Sequence, residues 1–108
     1  MTNAEIDRMI AEKVMGWKLI CPDGYAPFWE TGGEKRSMFE FTPSTNIAHA
    51  FEALESFGVA WELYKTDVSD YSCNIYDNQK QCFINGGYAK TKEMAICLAI
   101  IQAVKDRD

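Results

Sequence analysis

His49 is the sole histidine of the chain, which excludes any metal or acid-base site built on two imidazoles. A single imidazole works as a base when a nucleophile is held against it. On a helix the i+3 and i+4 neighbours of His49 are Glu52 and Ala53, so spacing supplies no nucleophile and the residue reads as a solvated helix histidine. The four cysteines, Cys21, Cys73, Cys82 and Cys97, stand 52, 9 and 15 positions apart. They form no C-x-x-C pair and have no nearby histidine, so zinc is not expected and buried cytosolic thiols are. Gly86-Gly87-Tyr88-Ala89-Lys90-Thr91 follows an expected strand and precedes an expected helix, the setting of a phosphate loop. That loop needs glycines where Ile84 and Ala89 stand, so a tight strand-to-helix turn with a solvated Lys90 is the better reading. The sixteen carboxylates are spread along the chain and single out no acid-base pair. No catalytic residue, cofactor or metal ligand is assigned.

The residues with the best claim to function are rings. Trp17, Tyr25, Phe28 and Trp29 lie on a glycine-punctuated segment close to Lys35 and Arg36. Rings on loops serve as binding anchors, and rings also fill the gap between a helix and a sheet. Both readings stand at this level. Ser44 and Thr45, at the expected start of a helix, add hydroxyls and free amides that favour an anion.

Elements must position these groups. Thr2-x-x-Glu5 is a capping-box pattern, Ile6, Met9, Ile10 and Val14 recur at helical spacing, and Gly16 ends the helix. From Trp17 to Phe41 Pro22-Asp23-Gly24, Pro27 and Gly32-Gly33 break any regular pattern. An ordered aromatic loop is expected there, with short strands at 17–21 and 37–41. Thr42-Pro43-Ser44-Thr45 then opens a second helix with Ile47, Ala50, Phe51 and Leu54 as its apolar stripe and Gly58 as its end. Val59, Trp61 and Leu63 alternate as a strand. Ser72 to Tyr76 and Gln81 to Asn85 flank the polar turn 77–80 and predict an antiparallel hairpin. With Tyr76 opposite Gln81, Cys73 and Cys82 become diagonal neighbours about 7–8 Å apart, too far to bridge readily. The last segment, from the N-cap Thr91 through Ile101, has hardly a polar residue after Met94 and predicts a central buried helix.

The expected fold class is therefore α+β, in the order α-(loop)-α-β-β-β-α. It is read as a three-layer α/β/α sandwich around an antiparallel three-stranded meander. The aliphatic sheet face is assigned to the second and third helices; the face with Tyr64, Tyr76 and Phe83 is assigned to the first helix and the 17–41 segment. At 108 residues, 47% hydrophobic and 25% charged, the chain fits a single domain, 1–108. Its formal charge of -5 opposes binding to nucleic-acid phosphates and to anionic lipid. The longest apolar run, Ala95 to Ile101, falls short of the roughly 20 residues of a membrane span, and Glu5 and Asp7 stand where a signal peptide would be apolar. The expected location is cytoplasmic.

Three stretches carry a family resemblance: Ala11-Glu12-Lys13-Val14-Met15-Gly16-Trp17, Phe41-Thr42-Pro43-Ser44-Thr45-Asn46-Ile47-Ala48, and Ala95-Ile96-Cys97-Leu98-Ala99. With these the chain resembles the phage ABA sandwich family, small proteins of phages and prophages. The resemblance implies an α/β/α fold and a phage or prophage origin, and it carries over no activity and no catalytic residues. A second likeness is topological. From the second helix onward the α-β-β-β-α order is similar to that of the double-stranded RNA-binding domain, with Lys90 and Lys92 near the place of its phosphate-holding lysines. The acidic balance and Glu93 weigh against it.

The leading expectation is a non-enzymatic phage accessory protein that binds a protein partner, or itself, through the aromatic segment. The alternative is a small-ligand protein that holds a nucleotide-like anion between Trp17, Tyr25 or Trp29 and the helix start at Ser44 and Thr45.

Overall fold

The computed structural model describes residues 1–57, 60–66, 70–77 and 80–107. Helix α1 spans Asn3–Lys13. As the capping pattern predicts, Thr2 Oγ1 accepts from the Glu5 amide (3.2 Å), and the hydroxyl also donates to the Glu5 carboxylate (3.1 Å). Gly16 takes φ 71°, and beyond it the Trp17 amide turns back to donate to the Ala11 carbonyl (3.0 Å). Ile6, Ile10 and Ala11 are buried, with Met9 and Val14 packed beside them.

The 17–41 segment is not a loop. It folds into a small antiparallel sheet of β1 (Lys18–Ile20), β2 (Phe28–Glu30) and β3 (Lys35–Ser37), in that order, followed by a 3-10 turn over Met38–Glu40. Leu19 pairs with Trp29, and Trp29 with Arg36. The strand expected at 17–21 exists, whereas the one expected at 37–41 lies earlier, at 35–37. Three-residue strands are too short to show a period, which is why β2 carries no sequence signal. Gly32, at φ 91°, supplies the turn between β2 and β3.

Helix α2 spans Ile47–Phe57 and starts later than expected. Residues 42–46 form a turn in which the Thr45 and Asn46 amides both donate to the Thr42 carbonyl. The cap is Asn46, whose Oδ1 accepts from the Ala48 (3.0 Å) and His49 (3.2 Å) amides. The buried stripe is Ala50, Ala53 and Leu54, with Phe51 half-buried and Ile47 38% exposed. The expected terminator Gly58 and the strand residue Val59 lie outside the described residues.

The meander is as expected in kind: β4 (Trp61–Lys65), β5 (Tyr71–Asp77) and β6 (Cys82–Ala89) pair antiparallel in that order. Tyr76 stands opposite Phe83, two positions from the expected Gln81. Gln81, at φ 54°, belongs to the turn and not to the strand; residues 78–79 of that turn lie outside the described residues. A shift of two preserves the alternation, and Ile75, expected opposite Cys82, pairs with Ile84 instead. The cysteines do change neighbours, since Cys73 faces Gly87 and Cys82 faces Asp77. All four thiols are free, Cys73 and Cys97 buried, Cys21 and Cys82 exposed.

Gly86-Gly87 lies within β6 and not in a strand-to-helix turn. The register passes from Cys73↔Gly87 to Asn74↔Asn85, so Gly86 is the extra residue of a bulge. Against these glycines packs α3 (Lys92–Arg107), capped by Thr91 Oγ1, which accepts from the Met94 amide (3.3 Å). A Cβ on Gly87 would overlap the Ala95 carbonyl oxygen and lie 2.8 Å from Ala99 Cβ, so only glycine allows this approach.

As predicted, α3 is the central helix, with Ala95, Ile96, Cys97, Ala99, Ile100, Ile101 and Ala103 all buried. A helix apolar around most of its circumference needs cover on the side away from the sheet as well. Helix α1 supplies it, packing on α3 and β1, while α2 lies beside α3 and meets β4 through Phe51 and Trp61 (5.6 Å between rings). The stacking order expected for α1 is thereby corrected: it covers α3, and Tyr64 (50%), Phe83 (44%) and Tyr88 (58%) on the second sheet face remain exposed. Between these rings Asn74 is buried and donates to the Glu62 carboxylate (2.8 Å). The fold class is α+β and fits a sandwich domain.

Candidate binding cavity

Positions 4, 7, 8 and 11 of α1 form a second stripe at helical spacing, beside the one that meets α3. Ala11 is buried, and toward the N-terminus the stripe opens onto a cavity of about 330 Å³. Helix α1 gives one wall, Ala4 and Arg8 with the carboxylates of Glu5 and Asp7 at the rim; Met38, Phe39, Phe41 and Thr42 give the other. Trp29, only 1% exposed, closes the bottom, and Phe39, 69% exposed, stands at the mouth. The volume lies in the range of small-molecule and side-chain pockets, and the lining is mainly carbon with a few polar groups at the edge.

The wall opposite α1 is held from behind. Phe41 meets Trp17 edge-on (4.8 Å, 64°), and the Arg36 guanidinium lies over both rings, 4.9 Å from Phe41 and 5.4 Å from Trp17. Arg36 is fixed in turn by Glu52 of α2 (2.8 Å). His49 also stacks on Phe41 (5.6 Å, 27°), and its Nδ1 accepts from the Thr42 amide (3.0 Å). Burial, with Arg36 nearby, holds the His49 pKa below the ordinary histidine value. The solvated-helix reading of His49 is thus replaced by a buttress: its ring is neutral and its acceptor nitrogen is committed. Across the cavity the Ser44 amide donates to Asp7 Oδ1 (2.7 Å), which ties the 42–46 turn to α1.

The sequence-expected residues part company here. Trp29 lines the cavity, and Trp17 braces it at one remove. Phe28 is half-buried beneath the Lys35 ammonium (5.0 Å), and Tyr25 is 79% exposed. Ser44 and Thr45 border a second, shallower hollow with Asn3, Lys90, Thr91, Glu93 and Met94. At the start of α2, where an anion was expected, the Ala48 and His49 amides donate to Asn46 Oδ1 and the Ser44 amide donates to Asp7. Lys92 lies over the Tyr71 ring (5.6 Å). Among the described residues no three His, Cys, Asp or Glu side chains gather as a metal site. Sequence reasoning missed Met38, Phe39 and the α1 wall. The one available signal was the apolar Met38-Phe39 pair amid charged neighbours.

The family model of the Phage ABA sandwich domain matches residues 8–101. The chain belongs to that family. A crystal structure of a phage protein from Bacillus cereus ATCC 14579, 24% identical, superposes with a TM-score of 0.64 over 98% of this chain and 89% of that one. At this identity the likeness shows the fold alone. No curated protein matches the chain.

Proposed function

We propose that this member of the phage family is a non-enzymatic interaction module that receives an apolar side chain of a protein partner in the cavity between α1 and residues 38–42. The supporting observation is the cavity itself: an apolar recess of side-chain size, braced from behind, with an exposed phenylalanine at its mouth. Interface energy concentrates where an anchor side chain fills such a recess and surrounding residues keep water out. The commitment of His49 Nδ1 to the Thr42 amide supports a non-enzymatic role. Free thiols and the acidic surface suit the host cytosol, where no described helix is long and apolar enough to cross a membrane. A nucleotide-like ligand is the weaker reading, because the amides that would hold its anion already have protein acceptors.

Trp29 makes the test direct. In protein labelled with 5-fluorotryptophan, the capped peptide acetyl-Gly-Phe-Gly-amide should shift the Trp29 fluorine resonance saturably, and Ala4→Phe, which fills the cavity from α1, should abolish the response. An unchanged Trp29 signal at saturating peptide rejects the cavity as the docking site.

A further inference from the structure

Resting on that reading, we propose that the cavity selects an apolar anchor whose neighbour in the partner chain is basic. The argument is the charge at the mouth. Glu5 and Asp7 line it as carboxylates, and the one cation of the lining, Arg8, is paired through Nε with Glu12 (2.8 Å) one helical turn away. Three carboxylates thus face one guanidinium. The guanidinium behind the opposite wall, Arg36, is likewise neutralised by Glu52 (2.8 Å).

Both rim carboxylates are held in place. Asp7 Oδ1 accepts from the Ser44 amide and Glu5 Oε1 from the Thr2 hydroxyl, so neither has to be ordered when a partner arrives. The chain as a whole, at -5, acts in the same direction at longer range. An ammonium or guanidinium one residue from a side chain seated on Trp29 reaches this rim. A carboxylate at the same place meets like charge.

The test uses three capped peptides that differ at one position, acetyl-Gly-Phe-Lys-amide, acetyl-Gly-Phe-Gln-amide and acetyl-Gly-Phe-Glu-amide, titrated against the full chain with the Trp29 fluorine signal as readout. The lysine peptide should bind about three- to tenfold more tightly than the glutamate peptide at low salt, with glutamine between them, the spread expected of two partly solvated carboxylates. Raising the salt to about 0.3 M should compress the order. Combining Glu5→Gln with Asp7→Asn, which keep an oxygen for each internal hydrogen bond, should narrow the spread to under twofold. Equal affinities, or a preference for glutamate, overturn the inference and leave the cavity reading standing; failure of all three peptides to move Trp29 overturns both. The comparison of the three peptides needs no variant, so equal affinities or a glutamate preference overturn the inference even if the double substitution disturbs folding.

Discussion

With Nδ1 accepting from the Thr42 amide, His49 can brace Phe41 only as the neutral imidazole, because a proton on that nitrogen would face an N–H donor. Its folded pKa is accordingly held below the ordinary value, burial first and Arg36 second. The folded state then binds fewer protons than the unfolded state as pH falls through the unfolded value near 6.5. The stabilisation is fully present above that pH and is lost below it. Chemical denaturation between about pH 7.5 and 5.5 should show stability falling by at most about 1 kcal/mol toward acid, the order of one part-buried hydrogen bond. His49→Gln, which keeps an acceptor without the titration, should flatten the slope. A flat wild-type profile would remove the histidine from the bracing role assigned to it.

At the level of elements, the contact between β6 and α3 has no tolerance. Gly87 lets the strand come within backbone distance of Ala95 and Ala99, and a methyl group there would strike a carbonyl oxygen that the helix cannot move without breaking its own ladder. Gly87→Ala should destabilise the domain by about 3 kcal/mol, at the upper end for overpacking. For a domain of this size that lowers the melting temperature by about 12–20 °C. Gly33→Ala, in a turn with nothing within 4 Å of the added carbon, should stay within about 0.5 kcal/mol of the parent. Calorimetry on the two variants checks the contrast; equal melting temperatures would show that the strand and the helix can separate at little cost. The glycine pair was visible in the sequence, where it resembled a degraded phosphate loop. Only the register, with Gly86 bulged and Gly87 opposite Cys73, shows that it exists for close packing.

For the whole molecule, the cysteines report on the integrity of the core. Cys73 of β5 and Cys97 of α3 are fully buried; burial, with Glu62 adding to it, raises the Cys73 pKa to about 11 and moves Cys97 upward as well. Cys21 and Cys82 are exposed. A chromogenic disulfide reagent at pH 8 should therefore consume two thiols at once and the other two only as the domain unfolds in denaturant. Four equally fast thiols would contradict a closed core.

The local rules determined a good deal of this fold. Periodicity located all three helices, the capping pattern at Thr2 and the left-handed Gly16 bounded the first, and alternation with a polar turn gave the meander. These signals arise within one element, between residues a few positions apart. Chain separation hid the rest. The three-residue strands of the 18–37 sheet are too short for a period, Asn46 and not Ser44 or Thr45 caps α2 because residues 42–46 form a turn of their own, and α1 lies on α3 rather than on the sheet because a helix apolar all round has two faces to cover. The cavity is the product of those long-range choices: Asp7 meets Ser44 across 37 positions and Arg36 meets Glu52 across 16, pairings that no spacing rule contains and that only the packed chain brings about.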